Sequence, residues 1–65
     1  MLHRNLVRLR TNAGLTQQEL SDAAGVSRST VARIESNRQS PGVETLTRLA
    51  DALGVTLDHL TGGVE

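Results

Sequence analysis

Between Thr16 and Ser36 the chain starts a helix, stops it and starts another within three residues. Thr16-Gln17-Gln18-Glu19 is a capping box. In that arrangement the Thr hydroxyl accepts from the amide three residues on, and the Glu side chain reaches back to the Thr amide. Leu15 before the cap and Leu20 after it are placed for a hydrophobic staple. The helix should end near Ala24, because Gly25 takes a left-handed backbone without steric cost. Ser27 is then a good N-cap for a helix reaching about Ser36, and Asn37 is one of the few non-glycine residues that accepts a left-handed C-cap. Two helices joined so tightly must cross closely, and Ala24 and Gly25 supply the small residues for it. Leu20 and Val31 lock the pair together, and Ile34 anchors its far end.

The flanking sequence repeats the same grammar. Leu2, Leu6, Leu9 and Ala13 recur at helical spacing and Asn12 to Gly14 ends that stripe. After the polar turn Arg38-Gln39-Ser40-Pro41-Gly42, the residues Val43, Leu46, Leu49, Ala50 and Leu53 form a fourth stripe closed by Gly54. Thr56 caps a short fifth helix through Leu57 and Leu60. Alternating runs are absent, so strands are not expected. The expected fold is all-α, a single domain over 1–65 with helices near 2–12, 16–24, 27–36, 43–53 and 56–61.

A chain of 65 residues with no cysteine and no Phe, Tyr or Trp must build its core from aliphatic side chains alone. It has neither a disulfide framework nor a thiolate metal site. The longest apolar run, Ala23-Ala24-Gly25-Val26, is too short for a signal peptide or a membrane span, so a cytoplasmic location is expected. Without aromatic stacking platforms, single-stranded nucleic acid is a poor target.

The formal net charge is zero, which at first argues against any nucleic acid. Position changes that reading. Residues 1–43 hold six Arg (4, 8, 10, 28, 33 and 38) against Glu19, Asp22 and Glu35, a balance of +3. Residues 44–65 hold Arg48 against Glu44, Asp51, Asp58 and Glu65, a balance of −3. The zero is the sum of a basic side and an acidic end.

Advancing 100° per residue along the third helix separates Ser27, Thr30, Val31 and Ile34 from Arg28, Ser29, Ala32, Arg33 and Ser36. The second set has two long cationic arms above a floor of small residues, a surface that can press against another macromolecule. Gly14-Leu15-Thr16-Gln17-Gln18-Glu19-Leu20 through Gly25-Val26-Ser27-Arg28-Ser29-Thr30-Val31 resembles the lambdoid phage repressor and Cro family, the XRE-type helix-turn-helix proteins. The likeness continues through Ile34-Glu35, the Pro41 loop and Leu49-Ala50-Asp51-Ala52-Leu53-Gly54-Val55, covering residues 4–61. Two departures fit physically: Ser21 stands where the family usually has Ala, and Asn37 where it often has Gly.

The resemblance implies a compact five-helix lambda-repressor-like domain, with residues 16–36 as the helix-turn-helix unit and the third helix in the major groove of duplex DNA. It implies that Arg28, Ser29 and Arg33 face base edges, an Arg there donating two parallel bonds to guanine O6 and N7. One of the two Arg can instead bind only phosphate. Gln17, Ser27, Ser36, Arg38 and Ser40 are the implied phosphate contacts, Gln17 assisted by the positive end of its helix. Ser27 has sufficient reason to be present as a cap, and Arg38 reads equally as a minor-groove contact or a solvated loop residue. Arg10 and Glu35 are implied to form a partly buried structural ion pair.

No catalytic arrangement emerges. His3 and His59 are isolated near opposite ends, no ligand cluster has metal spacing, and Gly62-Gly63 is a tail rather than a phosphate loop. The expectation is therefore no enzyme, no metal and no cofactor. The favoured function is a sequence-specific transcriptional regulator, a repressor binding a two-fold operator as a weak homodimer strengthened on DNA. Val55, Leu57, Leu60 and Val64 are candidates for the dimer contact, since the short C-terminal segment is what remains for it, and most of them read equally well as core. The alternative is an antitoxin or adaptor module whose main role is binding a partner protein. Few neutralised phosphates imply modest non-specific affinity and a shallow salt dependence.

Overall fold

The computed structural model describes residues 1–62, and within them the regular secondary structure is all helical: α1 (Leu2–Asn12), α2 (Gln17–Ala24), α3 (Arg28–Glu35), α4 (Val43–Leu53) and α5 (Leu57–Thr61). Local chemistry sets the boundaries. The Thr16 side chain accepts from the Glu19 amide at 3.0 Å while the Glu19 carboxylate accepts from the Thr16 amide at 2.8 Å, so both halves of the capping box are closed. Ser27 and Thr56 cap α3 and α5 in the same way, accepting from Thr30 and His59. Each of these three cap residues stands one place ahead of its helix.

Gly25 closes α2 with φ +72°, and the Val26 amide donates back to the Ser21 carbonyl at 3.0 Å. Asn37 does the corresponding work after α3 with φ +61°. There the Asn37 amide reaches the Ile34 carbonyl at 3.0 Å and the Arg38 amide reaches the Arg33 carbonyl at 2.8 Å, the two bonds of a Schellman closure. A short polar side chain thus holds a backbone conformation usually left to glycine.

The core is aliphatic. Leu6, Leu20, Ala24, Val31, Ile34, Leu49, Ala50 and Leu60 are buried, and Leu2, Leu9, Leu15, Val26, Leu46, Leu53 and Val55 pack against them. Every helix contributes, α2 lying against α3 and α4, and α1 against α3 and α5. Ser21 is the buried polar residue of this core, and its hydroxyl donates to the Gln18 carbonyl one turn back at 2.8 Å. That local bond explains why serine is accepted where only a small side chain fits.

Two stripe positions depart from the periodicity. Val43 is 74% exposed because it is the first residue of α4, where the apolar stripe runs past the edge of the core. Ala13 caps the C-terminus of α1 and is likewise exposed.

Candidate nucleic-acid interface

α3 is anchored on one side and bare on the other. Val31 and Ile34 are wholly buried, fixing the helix against α1 and α2. Arg28, Ser29, Arg33 and Ser36 are all exposed, and Ala32 between them is half-buried. The face expected to read bases is therefore free, and rigidly presented.

Its electrostatics are set by what the nearby acids do. Glu19 is engaged in the α2 capping box, Asp22 accepts from Gln18 Nε2 at 2.9 Å, and Glu35 is held by Arg10. These are all the acids of residues 1–43. Among the described residues the ion pairs are Arg10–Glu35 and Arg48–Glu44, so no carboxylate pairs with Arg28, Arg33 or Arg38. The basic half keeps its charge outward.

The implied phosphate contacts occupy different situations. Ser27 is committed to its cap, its hydroxyl accepting from the Thr30 amide at 3.1 Å and lying 2.8 Å from the Thr30 hydroxyl. The Ser36 hydroxyl donates to the Arg33 carbonyl at 3.2 Å. Arg38 and Ser40 are exposed in the turn between α3 and α4, the Arg38 backbone fixed by the Schellman closure. Gln17 opens α2 half-buried, with its side-chain amide donating to Glu35 Oε1 at 2.9 Å. Nothing in the sequence signals that last bond, because its partners are 18 positions apart and meet only through the packing of α2 beside α3.

Arg10 and Glu35 meet in a two-pronged contact. Arg10 Nε donates to Glu35 Oε2 at 2.6 Å and Nη2 to Oε1 at 3.1 Å, with side-chain exposures of 17% and 6%. The third arm, Nη1, donates to the Leu15 carbonyl at 2.8 Å, just ahead of the α2 cap. The hydrogen bond to Glu35 raises the Arg10 pKa above its ordinary value, outweighing desolvation. The pair thus ties the end of α1 to the start of α2 and the end of α3.

The candidate dimer residues separate sharply. Leu60 is fully buried in the core, so it offers no surface to a second chain and is removed from that set. Periodicity in a five-residue helix gives too little to distinguish its inner from its outer leucine. Leu57 is 38% exposed, Val55 is half-buried against the core, and Val64 lies outside the described residues. Among the described residues no cluster of His, Asp or Glu could hold a metal ion, and no helix is long and apolar enough to cross a membrane.

Comparison with known proteins gives a consistent picture. The helix-turn-helix family HTH_3 matches residues 6–60. A prophage-derived HTH-type transcriptional regulator of Bacillus subtilis, YonR, is 35% identical over all 65 residues, which span 60% of that protein. The immunity repressor of Bacillus phage phi105 is 39% identical over 54 residues, 83% of this chain and 38% of the repressor. Among solved structures, the restriction-modification controller protein C.AhdI from Aeromonas hydrophila superposes with a TM-score of 0.89 at 30% identity, covering 91% of this chain and 89% of the controller.

Proposed function

Because the chain belongs to the helix-turn-helix family of transcriptional regulators, we propose that it binds duplex DNA sequence-specifically as a repressor. The observation that supports this reading best is the bare outer face of α3. Arg28 and Arg33 stand there without a carboxylate partner among the described residues, on a helix whose opposite face is locked into the core. In the major groove each guanidinium can donate a bidentate pair to one guanine, worth about 1–3 kcal/mol of discrimination. Ser29 lies between them as a short hydroxyl that contacts either base type. Arg38 and Ser40 in the following turn, with Ser36 and the start of α2, run along the sugar-phosphate backbone.

The operator is two-fold and is bound by a dimer, its half-sites about 34–36 Å apart. Of the candidate dimer residues, Leu57 is the exposed one among those described and supports a contact between copies, with Val55 half-buried against the core. Selection from a random duplex pool tests the reading. Recovery of a palindrome with guanines at fixed positions supports it, and a pool that shows no enrichment rejects it.

A further inference from the structure

The carboxylate of Glu35 serves two masters. Among the described residues, Oε2 accepts from Arg10 alone, while Oε1 accepts from both Arg10 and Gln17. Gln17 is the first residue of α2, 18 positions away, and it has no need of this bond to start the helix, because the capping box already does so. Thr16 and Glu19 satisfy each other's amides, and the amides of Gln17 and Gln18 have no acceptor among the described residues. A side-chain amide has two hydrogens on nitrogen; one is given to Glu35 and the other has no partner in the described structure.

We propose that Glu35 is a positioning residue for DNA backbone recognition, acting through the side-chain amide of Gln17. The proposal rests on the duplex-DNA reading above. A glutamine at the mouth of a helix samples many rotamers, and ordering it on contact with a phosphate weakens binding. Glu35 removes that cost beforehand. Its side chain is 6% exposed, so water competes little for its oxygens, and a charged acceptor makes the bond to Gln17 a strong one. Its own charge would repel a phosphate, but the two-pronged contact with Arg10 neutralises it. The ion pair therefore does more than join helices: it lets a buried carboxylate steady a donor beside an anion. One amide hydrogen stays on Glu35, and the second, with the two open backbone amides of the same turn, is left for a phosphate oxygen.

The test separates this role from folding by replacing the pair as a unit. Arg10→Met/Glu35→Leu exchanges the ion pair for apolar side chains, a change that buried pairs often tolerate. Arg10→Met/Glu35→Gln instead restores a neutral carbonyl acceptor for Gln17, with an amide donor beside it. Each is made in the wild-type and the Gln17→Ala backgrounds, checked for its helical circular dichroism, and titrated with the selected operator and an unrelated duplex. Gln17→Ala should weaken both duplexes about tenfold, with an unchanged salt slope because a neutral side chain releases no counterion. Arg10→Met/Glu35→Leu should lose a similar factor when Gln17 is present and nothing further when it is absent, and the Glu35→Gln version should recover most of it.

An equal loss in both backgrounds, or no recovery, would make Glu35 a purely structural residue and overturn the proposal. A wild-type protein that binds no duplex overturns the functional reading as well, and so is told apart. If the Leu variant does not fold, the wild-type protein answers by nuclear magnetic resonance. One of the two Gln17 side-chain amide protons should exchange slowly, and it should keep its shift when operator is added. Two equally fast protons would overturn the proposal.

Discussion

The guanidinium of Arg48 lies over the backbone of Gly25, so that a Cβ placed on the glycine would come within 3.3 Å of Nη1. The contact joins α4 to the turn that sets the angle between α2 and α3. It is a soft one, since Arg48 is half exposed and, among the described residues, bonded to Glu44 on its own helix.

Gly25→Ala should therefore destabilise the domain through its backbone and not through crowding. The left-handed conformation costs a residue with a Cβ about 1–2 kcal/mol, and the end of an arginine can swing aside. Chemical denaturation of Gly25→Ala and of Gly25→Ala/Arg48→Ala checks this. Similar midpoints place the cost in φ, whereas recovery in the double variant would place it in the contact. Arg48→Ala alone should shift stability by no more than about 0.5 kcal/mol, as exposed i,i+4 pairs do.

Breaking the Arg10–Glu35 pair from one side is a different matter. Glu35→Ala leaves a nearly buried guanidinium without its carboxylate and should cost about 3–5 kcal/mol, enough to unfold much of a domain this small. A variant that melts at the wild-type temperature would contradict this. The pH dependence has a definite sign. The folded-state pKa of Arg10 is raised, so its contribution is fully present below the ordinary arginine range and disappears only as pH climbs through the raised value. Stability measured across neutral pH should show no step from this residue.

Arg28 and Arg38 should fail in different ways. Arg28→Ala is expected to erase a guanine preference at one operator position, while Arg38→Ala should weaken all duplexes alike and reduce the salt slope by about one. Binding of a small panel of operator variants at several salt concentrations distinguishes the two. Uniform weakening by Arg28→Ala would make it a phosphate contact.

The two leucines of α5 make a matched pair of controls. Leu60→Ala opens a cavity in the core and should cost about 2–5 kcal/mol. Leu57→Glu should leave the melting temperature close to wild type and weaken operator binding by opposing the second copy. Sedimentation of the protein–operator complex reads the stoichiometry directly, and an undiminished two-to-one complex would remove Leu57 from the contact.

Helix boundaries were legible in the sequence because caps are local: Thr16, Ser27 and Thr56 choose their own hydrogen-bond partners three residues on. The left-handed closures at Gly25 and Asn37 were legible for the same reason. Tertiary edges were not. Periodicity marks a stripe on α4 without saying where the core beneath it stops, so Val43 looked like a core residue and is exposed. Leu60 read equally as a dimer contact and as core, and it is buried. The Arg10–Glu35 pairing was available only through family resemblance, and the Gln17–Glu35 bond through neither route, since each depends on how three helix ends converge.

The aliphatic core has one more consequence, and it is optical. With no indole, phenol or phenyl group anywhere in the chain, the protein is nearly transparent in the near ultraviolet and does not fluoresce there. Every near-ultraviolet signal in a mixture with an oligonucleotide would then come from the bases. Unstacking, bending or the response of a fluorescent base analogue could be followed without a protein background, and a single tryptophan introduced at Leu57 would report on that site alone.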